Sequence, residues 1–214
     1  MPGPNLAARL KHSTHDLHRH AERSGVIGRM LSGSMSRDAY VLFLRNLLPA
    51  YQKLESALEA ARDHAALAPF IRPELYRSAA LRSDLATLAG PDWMTTLPVL
   101  PAGRDYAARI ADAATIDPTG LIAHAYVRYL GDLNGGRVLR RRIARTLGLD
   151  AAGLRFYEFD DIPDIQSFTT SYRHAYETID LPAPSCLAIL DEARHAFRHN
   201  IEISQAVQDA IIQR

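Results

Sequence analysis

A chain of 214 residues with 47% hydrophobic and 23% charged side chains is long enough for one substantial core and short for two, so a single domain over 1–214 is expected. The 12 glycines and 12 prolines are scattered, which excludes collagen-like and low-complexity classes, and 25 basic against 24 acidic residues leave a formal charge of +1, which argues against a nucleic-acid partner held by phosphate contacts. The single cysteine, Cys186, excludes an intramolecular disulfide and an all-cysteine metal site and fits a reducing, cytoplasmic setting.

No window of 18 apolar residues occurs, and neither Met1 to Leu10 nor Ile211 to Arg214 reads as a leader or tail anchor, so no membrane partner is expected. Apolar spacing predicts an almost wholly helical chain. Leu6, Leu10, Thr14, Leu17 and Ala21 recur every three or four residues and describe a first helix over 5–23. Ser36 is an N-cap for a helix over 37–64, which Pro49 should bend. A shorter helix over 74–88 is followed by the breakers Gly90-Pro91 and Pro98-Val99-Leu100-Pro101, and helix resumes over 104–114. Asp117-Pro118 opens a segment that could run to Leu147, and two helices over 165–179 and 185–212 close the chain, the first preceded by the aromatic stretch Phe156-Tyr157-Glu158-Phe159.

The most informative stretch is His124-Ala-Tyr126-Val-Arg128-Tyr-Leu-Gly131-Asp132-Leu-Asn-Gly135-Gly136-Arg137-Val-Leu139. Three glycines within six positions cost about 3 kcal/mol of helix propensity, so something must offset them. Gly131 and Gly135 share one face and leave a strip of bare backbone, which either a second helix or a flat ligand can approach. Asp132 borders that strip, and a carboxylate beside an apolar helix contact is costly to bury, which favours a polar pocket.

The first helix carries four of the nine histidines. Lys11, Thr14, His15, His18 and Glu22 form a stripe beside its apolar face, whereas His12 and His20 read as solvated. His18 at the boundary can ligate a metal or haem iron, with Glu22 one turn later setting the basicity of its other nitrogen, and Lys11 can supply charge to an anionic ligand. Glu192, His195 and His199 form the competing metal pattern, but a di-iron bundle needs a second Glu-x-x-His and further glutamates, so these three are expected to face solvent.

Together, the 124–139 segment and Leu10-Lys11-x-x-Thr14-x-x-Leu17-His18-x-x-Ala21-Glu22 resemble the signature and the proximal-histidine helix of the heme oxygenases. Weaker similarity continues through Tyr51, Phe168 to Arg173, and Ala196-Phe197-x-x-Asn200-Ile201, so it spans most of the chain. The resemblance implies an all-α single-domain bundle that holds haem, both cofactor and substrate, between a proximal and a distal helix. It implies that dioxygen and an external donor (ferredoxin, flavodoxin or an NAD(P)H reductase) open the ring at a meso carbon to biliverdin, carbon monoxide and ferrous iron, with a bilin acceptor downstream.

Residue by residue, the resemblance makes His18 the axial iron ligand and Glu22 its partner, with Thr14 and Phe197 lining the haem site. Gly131 and Gly135 become the backbone positions over the haem plane, Gly136 adds flexibility, and Asp132 orders distal water, backed by Tyr51, Tyr126 and Arg128. Lys11 and Arg173 become partners of the haem propionates, while His15 and Thr169 stand where animal members carry lysines. Two other functions fit parts of the pattern: a haem carrier or sensor without turnover, which Asp132 disfavours, and a thiaminase-type hydrolase, for which Cys186 is the one available nucleophile.

Overall fold

The computed structural model describes residues 5–213, so the extreme ends of the domain read over 1–214 lie outside the described residues. Every regular element among the described residues is helical. Helix α1 (Leu6–Ala21) begins where the Asn5 side chain accepts the Ala8 N–H at 3.0 Å, and it buries Leu6, Leu10, Thr14 and Ala21. Its opposite face carries Lys11, His12, His15, His18 and His20 into solvent.

Helix α2 (Gly25–Ser32), which periodicity did not resolve, is only eight residues long and closes on the left-handed Gly33. It lies so close to the last helix that a side chain on Gly25 would strike the Ser204 backbone. The contact is sealed by Ser204, whose hydroxyl accepts the Ile27 N–H at 3.1 Å and donates to the Ser24 carbonyl at 2.9 Å.

Helix α3 (Arg37–Ala60) starts on its Ser36 cap as expected, continues as helix through Pro49, and ends short of His64. It is the central element, packed on α4 (Ser78–Ala89), α6 (Pro101–Ile116) and α10 (Ala183–Ile212), with the short α5 (Trp93–Thr96) after α4. α4 starts later than the sequence suggests because Pro73–Leu75 forms a separate 3-10 turn and Glu55 of α3 accepts the N–H groups of Arg77 (2.6 Å) and Ser78 (2.9 Å).

The stretch expected as one helix from Asp117 to Leu147 is segmented. A 3-10 turn (Pro118–Gly120), with the Asp117 carboxylate accepting the Thr119 N–H at 2.9 Å, leads into α7 (Leu121–Ala125), a π-helical turn (Tyr126–Leu130) and α8 (Gly131–Leu147). A π turn inserts an extra residue and shifts the helical phase, something a 3.6-residue period does not reveal. Here the shift precedes Gly131 and leaves both Arg128 and Asp132 buried, one turn apart.

The aromatic stretch near 156 forms a 3-10 turn (Arg155–Tyr157). Helix α9 (Ile165–Thr178) is capped by Asp164, which accepts the Gln166 and Ser167 N–H groups, and α10 closes the bundle. α1 lies along α10. Both α1 and α8 also lean on α2 and α9, yet α1 and α8 share no packing face.

Candidate active site

Tyr51, midway along α3, is fully buried and donates its hydroxyl proton to Asp132 Oδ2 at 2.6 Å. Arg128 donates to the same hydroxyl from Nε at 2.9 Å and Nη2 at 2.8 Å, stacks its guanidinium over the Tyr51 ring, and reaches Asn200 of α10 through Nη1. Asp132 Oδ1 stands 3.9 Å from Arg128 Nη2 and is the carboxylate oxygen that Tyr51 leaves free. Three helices and the π turn therefore meet at one buried polar cluster.

Burial pushes the Asp132 carboxyl up to about 6, against the pull of Arg128, the Tyr51 hydrogen bond and Arg77. Burial also drives the Tyr51 phenol well above its ordinary value, so it stays protonated and a donor. Burial opposes the Arg128 charge, but Tyr51 and Asp132 outweigh it and hold the guanidinium protonated.

Beside this cluster, Gly131 is exposed and Gly135 half-buried, and a methyl group built on either would meet no atom within 4 Å. That removes the reading in which the small-residue strip seats a second helix. Gly136, read as adding flexibility, is buried, and a methyl there would sit 3.4 Å from the Tyr157 ring, so it also serves packing against the 155–157 turn.

On α1, the exposed His18 turns its Nδ1 toward Glu22 Oε1 at 3.7 Å, and its ring meets buried Phe197 of α10 edge-on at 5.8 Å. Thr14 is buried, its hydroxyl donating to the Leu10 carbonyl at 2.8 Å. Lys11 and Arg173 are exposed on α1 and α9. Thr169 donates its hydroxyl to Ile165 O at 2.6 Å.

Tyr126 does not join the Asp132 cluster. It packs edge-on against Tyr176 of α9 at 5.5 Å, on the side of the helix away from Arg128, as residues two apart on one helix must. Glu192 and its neighbours are also not the solvent-facing set expected. Glu192 is buried and paired with Arg109, with His124 Nε2 2.9 Å from its Oε1 in a bent approach. Burial opposes its ionisation, but His124 and Arg109 win and hold the carboxyl down to about 2, while burial lowers His124. His199 stacks on Tyr106 at 5.4 Å, whereas His195 faces Asp191. Among the described residues no cluster of three or more His, Cys, Asp or Glu side chains is placed to hold a metal ion.

Asn200 escaped the sequence reading as a site-forming group, and the buried pairing of Glu192 with Arg109 and His124 was not foreseen. The signal available was a polar residue on an apolar stripe: Asn200 shares its face with Ala193, Ala196 and Phe197, all buried. Cys186 is half-buried in the first turn of α10, with its thiol 3.7 Å from the Leu181 carbonyl. It lies about 16 Å along the helix from Phe197, too far to serve as nucleophile beside His18.

A family model described as heme oxygenase matches residues 4–206. Heme oxygenase 1 of Synechocystis sp. is 32% identical, the match covering 98% of this chain and 87% of that protein, and human heme oxygenase 1 is 33% identical over 97% of this chain and 73% of its own length. In structure, heme oxygenase-1 of Synechocystis in complex with heme superposes with a TM-score of 0.93 at 32% identity, covering 98% of this chain and 95% of that one. Heme oxygenase of Leptospira interrogans gives 0.89 at 34% identity, with 94% and 99% covered.

Proposed function

Because the chain belongs to the heme oxygenase family, enzymes that degrade haem to biliverdin, we propose how its own residues divide that work. The observation that carries the assignment is the open space above Gly131 and Gly135, on a helix that does not pack against the His18 helix. A porphyrin that entered edge-in between the His18 imidazole and this bare backbone would meet no side chain at the two glycines. When bound, haem supplies the iron that takes up dioxygen and electrons, and its ring is the substrate.

His18 would hold the iron through Nε2, since Nδ1 is turned to Glu22, which would orient the ring and raise its basicity. Phe197 supports the His18 ring from α10, and Thr14 and Tyr126 fill the floor between α1 and the π turn. Gly131 and Gly135 limit the height of the slot with backbone alone. Asp132 keeps Oδ1 free of Tyr51, so that oxygen would order a water and pass protons beside bound haem, while Tyr51, Arg128 and Asn200 hold the carboxylate in place. Lys11 and Arg173, both exposed, would pair with the propionates.

Ring opening consumes dioxygen and electrons, and a chain with one cysteine has no redox store of its own, so an external donor of the ferredoxin, flavodoxin or NAD(P)H-reductase class is part of this reading. A bilin acceptor for the product, a single domain over the whole chain and a cytoplasmic setting complete it, the last supported by the lone cysteine. Among the described residues no helix is long and apolar enough to cross a membrane. The turnover reading gives the costly burial of Asp132, Tyr51 and Arg128 a use, the placing of a proton-carrying carboxylate.

The test is to mix protein with hemin, a reductant system and air. Loss of the Soret band with growth of bilin absorption supports the proposal; a stable Soret band, or bleaching without bilin, sinks it.

A further inference from the structure

The distal cluster is braced from a direction that none of its members explains. Asp84, on α4, is fully buried, and its two carboxylate oxygens accept the N–H groups of Arg155 (2.9 Å) and Phe156 (2.8 Å), more than seventy residues away. The Phe156 ring then meets Tyr51 edge-on at 5.5 Å, and the neighbouring Tyr157 ring lies against Gly136, 4.7 Å from Phe156 centroid to centroid. We propose that Asp84 is a positioning residue for the haem site: it fixes the Arg155–Tyr157 turn, whose two aromatic rings hold Tyr51 and the Gly136 flank of α8 in register.

Asp150 and Asp164 cap turns in this chain with the same chemistry, but each does so at the surface for residues two or three positions away. Asp84 does it from another helix and under burial, where an ionised carboxylate is expensive. Burial raises its carboxyl to about 6, against the two backbone hydrogen bonds and Arg155, with Glu158 adding to the rise; Tyr40 of α3 and Tyr157 also face it. A surface-type cap would not need that cost. The outcome of the arrangement is that one rigid turn touches both helices whose spacing sets the Tyr51–Asp132 hydrogen bond.

The inference rests on the roles given above to Tyr51 and Asp132, and its test begins without haem. Amide hydrogen exchange is compared between haem-free wild type and Asp84→Asn, in which one accepting oxygen becomes an NH2 group and one turn N–H loses its partner. The expected result is faster exchange, by about fivefold or more, at 155–157 and also at 131–136, with the buried amides of α6 and α10 unchanged. With hemin and a reductant, the ratio of biliverdin isomers shifts relative to wild type. Acceleration confined to 155–157 with an unchanged isomer ratio would overturn the inference. If Asp84→Asn does not fold, Phe156→Leu decides: loosening at 131–136 supports the brace and undiminished protection there overturns it. Failure of the wild type to take up hemin would instead overturn the site proposed above, leaving the exchange comparison to decide the brace by itself.

Discussion

Arg128 occupies both lone pairs of the Tyr51 hydroxyl, through Nε at 2.9 Å and Nη2 at 2.8 Å. Arginine only donates, so the one hydroxyl proton has a single destination, Asp132 Oδ2. Any proton that Asp132 carries is therefore on Oδ1, the oxygen turned from Tyr51.

Tyr51→Phe breaks this arrangement at its centre. The buried guanidinium loses the one oxygen that accepts from both its Nε and its Nη2, so the haem-free protein should lose about 1–3 kcal/mol of stability by denaturant titration. Hemin should still bind, and biliverdin formation should slow by about tenfold, a loss of roughly 1.4 kcal/mol of transition-state stabilisation. A variant with wild-type turnover would show that Tyr51 does not hold Asp132 for catalysis.

Asp132 should also shape stability against pH. Its folded pKa of about 6 lies above the ordinary carboxylate value of 3.8, so the folded state binds the proton more tightly and this group's contribution falls as pH rises through that window. Asp132→Asn removes this group's share of the slope and leaves that of Asp84. Relative to wild type, the variant should be more stable at pH 7.5 than at pH 5 by on the order of 1 kcal/mol, about 2–4 °C in Tm. A difference of the opposite sign by thermal melts in the two buffers would show that the carboxylate is ionised without cost. Asp132→Ala should bind hemin and lose most biliverdin formation.

Alanine at Gly135 should act in opposite directions on the two states. The haem-free fold has room for the methyl group, and the helix gains about 1 kcal/mol of propensity. Turnover should fall by about tenfold, because the methyl intrudes on the slot. Calorimetry and an initial-rate assay read the two effects, and unchanged turnover would place the ligand elsewhere.

His18→Ala should shift the Soret band of the ferric complex and slow turnover, with added imidazole restoring the spectrum. An unchanged spectrum would move the iron ligand to another residue.

Much of this site is legible in the residues alone. Spacing puts Gly131 and Gly135 on one face and His18 within a turn of Glu22, and both relations hold in the fold. What spacing hides is phase and distance along the chain. The π turn interrupts the 3.6-residue period just before Gly131, and Arg128 finds its partner Tyr51 on another helix, 77 residues away. Gly136 follows Gly135 directly but packs on Tyr157, and Asp84 meets its partners across a loop that no local pattern encodes. Glu192 is the converse case. Its Glu-x-x-His spacing suggests a metal face, but burial beside Arg109 and His124 makes it a structural ion pair.

The most direct measurement is a crystal structure of the hemin complex. The expected result is iron bonded to the His18 ring nitrogen remote from Glu22, with the porphyrin plane covered by the Gly131–Gly135 backbone and Asp132 Oδ1 holding a water above it. Iron bound by another side chain, or a porphyrin seated on the α1–α10 seam beside Arg9 and Arg194, would contradict the account.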